Sequence, residues 1–194
     1  MLYNTRNGYP VVEDPIRAAM LPGIIPYDID NSYPNRVLWL INRVAAAKQA
    51  TLFLHNHIEG QGITGAAIDE VVNERFETVA DFHDQFNESK AWFGGAFVHI
   101  SYTPEGVKDR YEVLEFQNVR VGDYTQKKYR NKLVYWNNWS GSKQRIGQRE
   151  RERWYYAYNP DPVVVLAQME ECGGYDKYPG QIYFSKTTRA VYPT

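Results

Sequence analysis

A single cysteine, Cys172, stands among 194 residues. That excludes an internal disulfide and a cysteine-rich zinc site, and it suits a reducing compartment. Long apolar runs are missing as well. None approaches the roughly 20 residues of a membrane-spanning helix, and Met1-Leu2-Tyr3-Asn4 does not begin as a signal peptide does, so no membrane partner is expected. Neither sign of charge is in excess: 22 Lys and Arg against 23 Asp and Glu leave a net charge of −1. The chain as a whole has no field that would draw it to nucleic acid, and only local clusters can do so. Gly60-Gln61-Gly62 and Gly94-Gly95 lack the glycine spacing of a phosphate loop. They read more simply as a helix stop and as a place where a second backbone approaches a strand. Ser101 and Ser140 lack the Gly-x-Ser-x-Gly elbow.

Aromatics are plentiful, with 16 Tyr and 5 Trp, side chains suited to half-wet interfaces. At 43% hydrophobic the chain can bury one sizeable core. Residues 1–34 carry five prolines and no clear period, which predicts an extended N-terminal arm with at most a short helix near Ile16 to Leu21. From Asn35 the pattern turns helical. Val37, Leu40, Ile41 and Val44 share one face, with Ser32 and Pro34 as start signals, and the helix runs on to a stop at Gly60 and Gly62, straight or bent near Ala46. A second helix is predicted over Ala67 to Glu88 from the stripe Ile68, Val72, Phe76, Val79 and Phe86. From Trp92 to Gly122 the period falls to two, with Thr103-Pro104-Glu105-Gly106 as a turn, which predicts a three-stranded meander. Leu133 to Trp139, Trp154 to Tyr158 and Ile182 to Ser185 read as further strands. Asp161 and Pro162 start a helix that Gly173-Gly174 stops. The expected class is α+β, with helices packed on an antiparallel sheet, in a single domain over residues 35–194.

Three groups of residues and the lone cysteine invite chemistry. His55, His57 and Glu59 suggest a metal site, but on a helix only His55 and Glu59 share a face, and a third ligand has no place in the sequence. A solvated helix end is the simpler reading, so no metal and no cofactor are expected. Asp69, Glu70, Glu74, Glu77, Asp81 and Asp84 read as a solvated acidic face rather than a catalytic pair. Cys172 reads as an inert thiol. Lys143, Arg145, Arg149, Arg151 and Arg153 form the most distinctive cluster. On a strand the last three make one basic edge, open to subunit or phosphate contact, although the interleaved Glu150 and Glu152 dilute it. No catalytic residue emerges, and no enzyme is expected.

Several stretches together resemble the N-terminal half of tailed-bacteriophage portal proteins. Asp30-Asn31-Ser32-Tyr33-Pro34 is similar to the family's approach to its first helices, and Ile58-Glu59-Gly60-Gln61-Gly62-Ile63 to their end. Phe93-Gly94-Gly95-Ala96-Phe97 resembles a family strand, and Glu112 to Gly122 resembles the strand and turn that follow it. Asn159-Pro160-Asp161-Pro162 and Tyr178-Pro179-Gly180-Gln181-Ile182-Tyr183-Phe184 resemble a later turn and strand. Order and spacing agree from about residue 28 onward. The resemblance implies the α+β wing of a portal subunit, a homo-oligomeric ring (usually a dodecamer) at one capsid vertex. DNA passes through such a ring, and the terminase, the capsid or scaffold protein and a tail adaptor dock on it. It implies a virion location, with host cytoplasm during assembly, and no catalysis. Family members continue into stem helices and a clip domain, so the chain is expected to be a truncated or shortened relative. The rival reading is a small aromatic-rich binding module, or a metal-dependent enzyme using His55, His57 and Glu59.

Overall fold

The structure is a computed structural model that describes residues 4–6, 9–11, 23–27, 31–137, 139 and 152–186. Its described residues form four α-helices, a two-stranded hairpin and a seven-stranded sheet, an α+β fold as expected. Strands β1 (Asn4–Arg6) and β2 (Tyr9–Val11) make the hairpin. The large sheet has the order β3-β6-β7-β8-β9-β4-β5.

Helix α1 (Tyr33–Arg43) begins with Pro34 in its first turn, where a missing N–H costs nothing. The break before α2 (Ala45–Glu59) falls at Val44, whose backbone is extended at φ −111° and ψ 110°. The hydrogen-bond ladder passes across it, since Val44 donates to the Leu40 carbonyl and accepts from the Lys48 N–H. Gly60 caps α2.

The predicted helix over Ala67 to Glu88 is only half formed. Residues 65–78 are turns and loop closed by an isolated antiparallel bridge between Val71 and Thr78, and α3 is Val79–Phe93. Asn73 explains the difference. Its side-chain oxygen accepts the N–H groups of Arg75 and Glu77, a local alternative to helix. Its amide donates to the Tyr111 carbonyl, while the Tyr111 N–H donates to Val72, so the segment is held against β5. Phe76, predicted to face a core, is 81% exposed at φ 62°. Thr78 starts α3 instead. Its hydroxyl accepts the Asp81 N–H, and the Asp81 carboxylate accepts the Thr78 N–H, a reciprocal cap that holds the Asp81 carboxyl below its usual range.

The meander is also redrawn. Trp92 and Phe93 close the last turn of α3, and Gly94 ends it in the left-handed region at φ 72°. Strand β4 (Gly95–Tyr102) pairs with β5 (Lys108–Leu114) as a hairpin. The third strand, β6 (Val119–Gly122), lies at the other end of the sheet, between β3 (Ile24–Ile25) and β7 (Lys132–Tyr135). Part of the predicted arm is therefore a sheet strand. Strands β8 (Arg153–Ala157) and β9 (Gln181–Lys186) are parallel and joined through α4 (Pro162–Glu171), so the sheet is mixed rather than purely antiparallel.

Both faces of β4 are covered. Phe97 packs with Phe93, Leu114, Phe116, Leu133 and Ile182, with α1 contributing Tyr33, Val37 and Leu38. Val98, Ile100 and Tyr102 face Val165 and Met169 of α4 together with Phe82 and Phe86 of α3. A Cβ on Gly95 would stand 2.9 Å from the Ser185 carbonyl, so this position serves the close strand approach anticipated from Gly94-Gly95.

Candidate functional site

Where α2 lies against α3, His55 and Glu59 share a face as their four-residue spacing requires, and α3 supplies Asp84 as the third group. The His55 Nε2 atom is 3.1 Å from Asp84 Oδ1 and 3.9 Å from Glu59 Oε2. Neither approach has hydrogen-bond geometry, and this buried nitrogen has no hydrogen-bond partner. One potential ligand atom from each of the three residues lies within 4.8 Å of the others. Glu88, one turn beyond Asp84, borders the cluster. Burial raises its carboxyl above the ordinary range, the Asp84 charge raises it further, and His55 acts in the opposite sense. His57 is not part of this group. It is exposed and stacks on Phe53 at 6.4 Å. Of the other acids read as one helix face, Asp84 and Asp81 sit on α3, whereas Glu74 and Glu77 lie in the turns before it. Glu74 pairs with Arg110, and Arg75 with Glu112.

Of the predicted basic cluster, only Arg153 is among the described residues; Lys143, Arg145, Arg149 and Arg151 lie outside them. Arg153 opens β8, which is flanked by β7 and β9, so it sits on an inner strand and not on a sheet edge. A second group of cations escaped the sequence reading. Lys127, Lys128, Arg130 and Lys132 gather around a shallow depression that includes Tyr156 and Glu171. Lys132 lies over the Tyr156 ring at 5.1 Å. Four cations within six residues was the available signal, and the turn before β7 brings them together. Cys172 is half-buried, with its sulfur 3.4 Å from the Tyr156 hydroxyl.

Four of the stretches that carried the portal resemblance meet at two buried polar junctions. At the first, Arg120 of β6 is completely buried. Its Nε donates to Asn31 Oδ1 at 2.6 Å, and its NH1 donates to the carbonyls of Gln117 and Val119, each at 2.8 Å. The guanidinium lies between the rings of Tyr27 (4.3 Å) and Trp139 (4.8 Å). Asn31 adopts φ 56°, a conformation asparagine tolerates, and its side-chain oxygen also accepts the Tyr27 N–H. At the second junction, Gln181 is completely buried on β9. Its Oε1 accepts from the Tyr102 hydroxyl and the Asn159 N–H, and its Nε2 donates to Gln168 of α4. Beside it, His99 Nε2 donates to the Pro179 carbonyl at 2.8 Å, which fixes the proton on that nitrogen. Burial holds the His99 imidazole below its ordinary pKa. Gly180 has φ 86°, and a Cβ there would stand 2.5 Å from the Ile100 carbonyl, so only glycine fits.

No protein-family model matches the sequence, and no curated protein matches it. Solved structures with similarity to the fold include a chain from the virion of a native gene transfer agent particle, at 12% identity and a TM-score of 0.44 over 84% of this chain and 48% of that one. A chain from the neck of an empty gene transfer agent particle is similar at 12% identity and a TM-score of 0.44, over 81% and 46%. The chain thus spans about half the length of these two.

Proposed function

We propose that this chain is a non-catalytic structural subunit of a phage-type particle, specifically the wing region of a portal ring. In that role it would serve DNA packaging and ejection and the head-tail connection. The observation that carries the reading is where the resembling stretches fall. Asn31, the Gly94-Gly95 pair, the run ending in Arg120 and Gly122, and the Tyr178 to Gln181 turn are positions that join helices and loops of this fold to its sheet. In the portal reading, each of these stretches would fix one junction of the subunit.

The shape of α2 supports an assembled state. No residue of this fifteen-residue helix is fully buried, while Leu52, Phe53 and Leu54 are 56%, 74% and 42% exposed. A helix with three adjacent bulky apolar side chains in water lacks a covering surface. A neighbouring copy of the subunit is the proposed cover, and the particle is the proposed location. Capsid or scaffold protein, terminase and tail adaptor are the proposed further partners.

The test is self-association of the full gene product by light scattering over a concentration series. Discrete oligomers that Leu52→Glu with Phe53→Glu dissociates, without loss of helical signal, are expected. A monomer at every concentration, or oligomers indifferent to both changes, overturns the role given to α2.

A further inference from the structure

The cluster between α2 and α3 belongs to no part of the proposed assembly role, and its charges are unbalanced. Glu59 and Asp84 bring two carboxyl groups to one imidazole. The cluster also lies at the last turn of α2, which ends at Glu59, where the unpaired carbonyls of the helix end favour positive charge. The most buried member, His55, is 14% exposed and turns a nitrogen with no hydrogen-bond partner toward the carboxylates. The 3.1 Å approach to Asp84 is an ion-pair contact without hydrogen-bond alignment, and a cation held between the two atoms would satisfy both.

We propose that His55, Glu59 and Asp84 bind a divalent transition-metal cation of the zinc class, clamping α2 to α3. One imidazole nitrogen with carboxylate oxygens is a donor set that zinc accepts and magnesium does not select. Zinc bonds of about 2.0–2.2 Å place tetrahedral ligand atoms about 3.3 Å apart. The His55–Asp84 and His55–Glu59 separations of 3.1 and 3.9 Å bracket that value. Asp84 and Glu59 have 60% and 36% exposed side chains, so both can complete the shell by rotating without moving the backbone. His55 and Glu59 lie one turn apart on α2, no residue of which is fully buried, and Asp84 reaches them from α3. The role is structural: the cation ties α2 to α3 and leaves the exposed Leu52, Phe53 and Leu54 free.

The test is zinc titration of the tag-free, chelator-stripped full chain by calorimetry, with melting followed in parallel. One zinc per chain and a higher melting temperature with zinc than with magnesium are expected. His55→Ala and Asp84→Asn should each weaken binding by at least about tenfold and abolish the thermal shift, as loss of an inner ligand does at least as strongly as loss of an outer one. His57→Ala, outside the cluster, should bind as the wild type does. If His55→Ala fails to fold, Glu59→Gln carries the same expectation. No binding at millimolar zinc, binding indifferent to His55 and Asp84, or binding removed by His57→Ala overturns the proposal.

Discussion

Arg120→Met is the sharpest perturbation of the fold. It keeps an unbranched side chain of useful volume but removes the guanidinium from a site with no solvent exposure. Four acceptors lose the guanidinium: the carbonyls of Gln117 and Val119 at 2.8 Å, the Asn31 carbonyl at 3.4 Å, and Asn31 Oδ1 at 2.6 Å, which keeps the Tyr27 N–H. Hydrogen bonds from a charged donor are worth about 1.5–3 kcal/mol each, and the two ring contacts add about 1–2 kcal/mol apiece when dry. Desolvating the guanidinium takes back several kcal/mol of that sum. The replacement changes one side of the junction only, so the acceptors stay buried without this partner, and a net loss of about 3–5 kcal/mol is expected. For a chain of this size that lowers the melting temperature by about 10 °C. Urea unfolding measures the difference directly, and Arg120→Lys should fall between, since an ammonium cannot reproduce the planar fork. A cycle with Asn31→Ala should show coupling of more than about 1 kcal/mol, because the two side chains touch. A Met variant within about 1 kcal/mol of wild type would refute the idea that this arginine ties the first helix to the sheet.

Three further outcomes follow from the same structure. Gln181→Leu leaves the Asn159 N–H and the Tyr102 hydroxyl without their acceptor and should cost about 2–3 kcal/mol in urea unfolding. His99 is held neutral by burial, so its folded pKa lies below the unfolded value near 6.5. The unfolded chain then binds more protons in this range, so stability is complete above pH 6.5 and falls as pH drops toward the folded value. Urea midpoints between pH 5 and 8 should show that slope, and His99→Gln should flatten it. Thr78→Ala removes the reciprocal cap of α3 and should cost about 1 kcal/mol, read from thermal melts.

Local signals carried much of this fold into the sequence. Period-two alternation gave β4, Pro34 marked the start of α1, and Asp161 accepting the Val163 N–H began α4 as its position promised. What stayed hidden depends on partners distant in the chain. The β6 strand was read as the neighbour of β5 because it follows closely. Its place at the far end is set by pairing with β7, reinforced where the Asn118 carbonyl accepts the Trp136 N–H and the Trp139 indole. Arg120 in Val119-Arg120-Val121 looks like the solvent side of an alternating strand, yet both faces there are covered. The apolar stripe over Ala67 to Glu88 predicts one helix, but before Val79 the Asn73 side chain takes backbone N–H groups and the chain turns instead. At the cluster, the His55 and Glu59 spacing was legible on one helix, whereas Asp84 reaches them only because α3 packs against α2. His57 was grouped with them by proximity in sequence and points elsewhere.

Native mass spectrometry of the intact gene product, with electron microscopy of the same sample, tests the assembly role most directly. A closed ring of identical subunits, with α2 covered by the next copy, is the expected result. A stable monomer whose α2 face remains open at high concentration would contradict it.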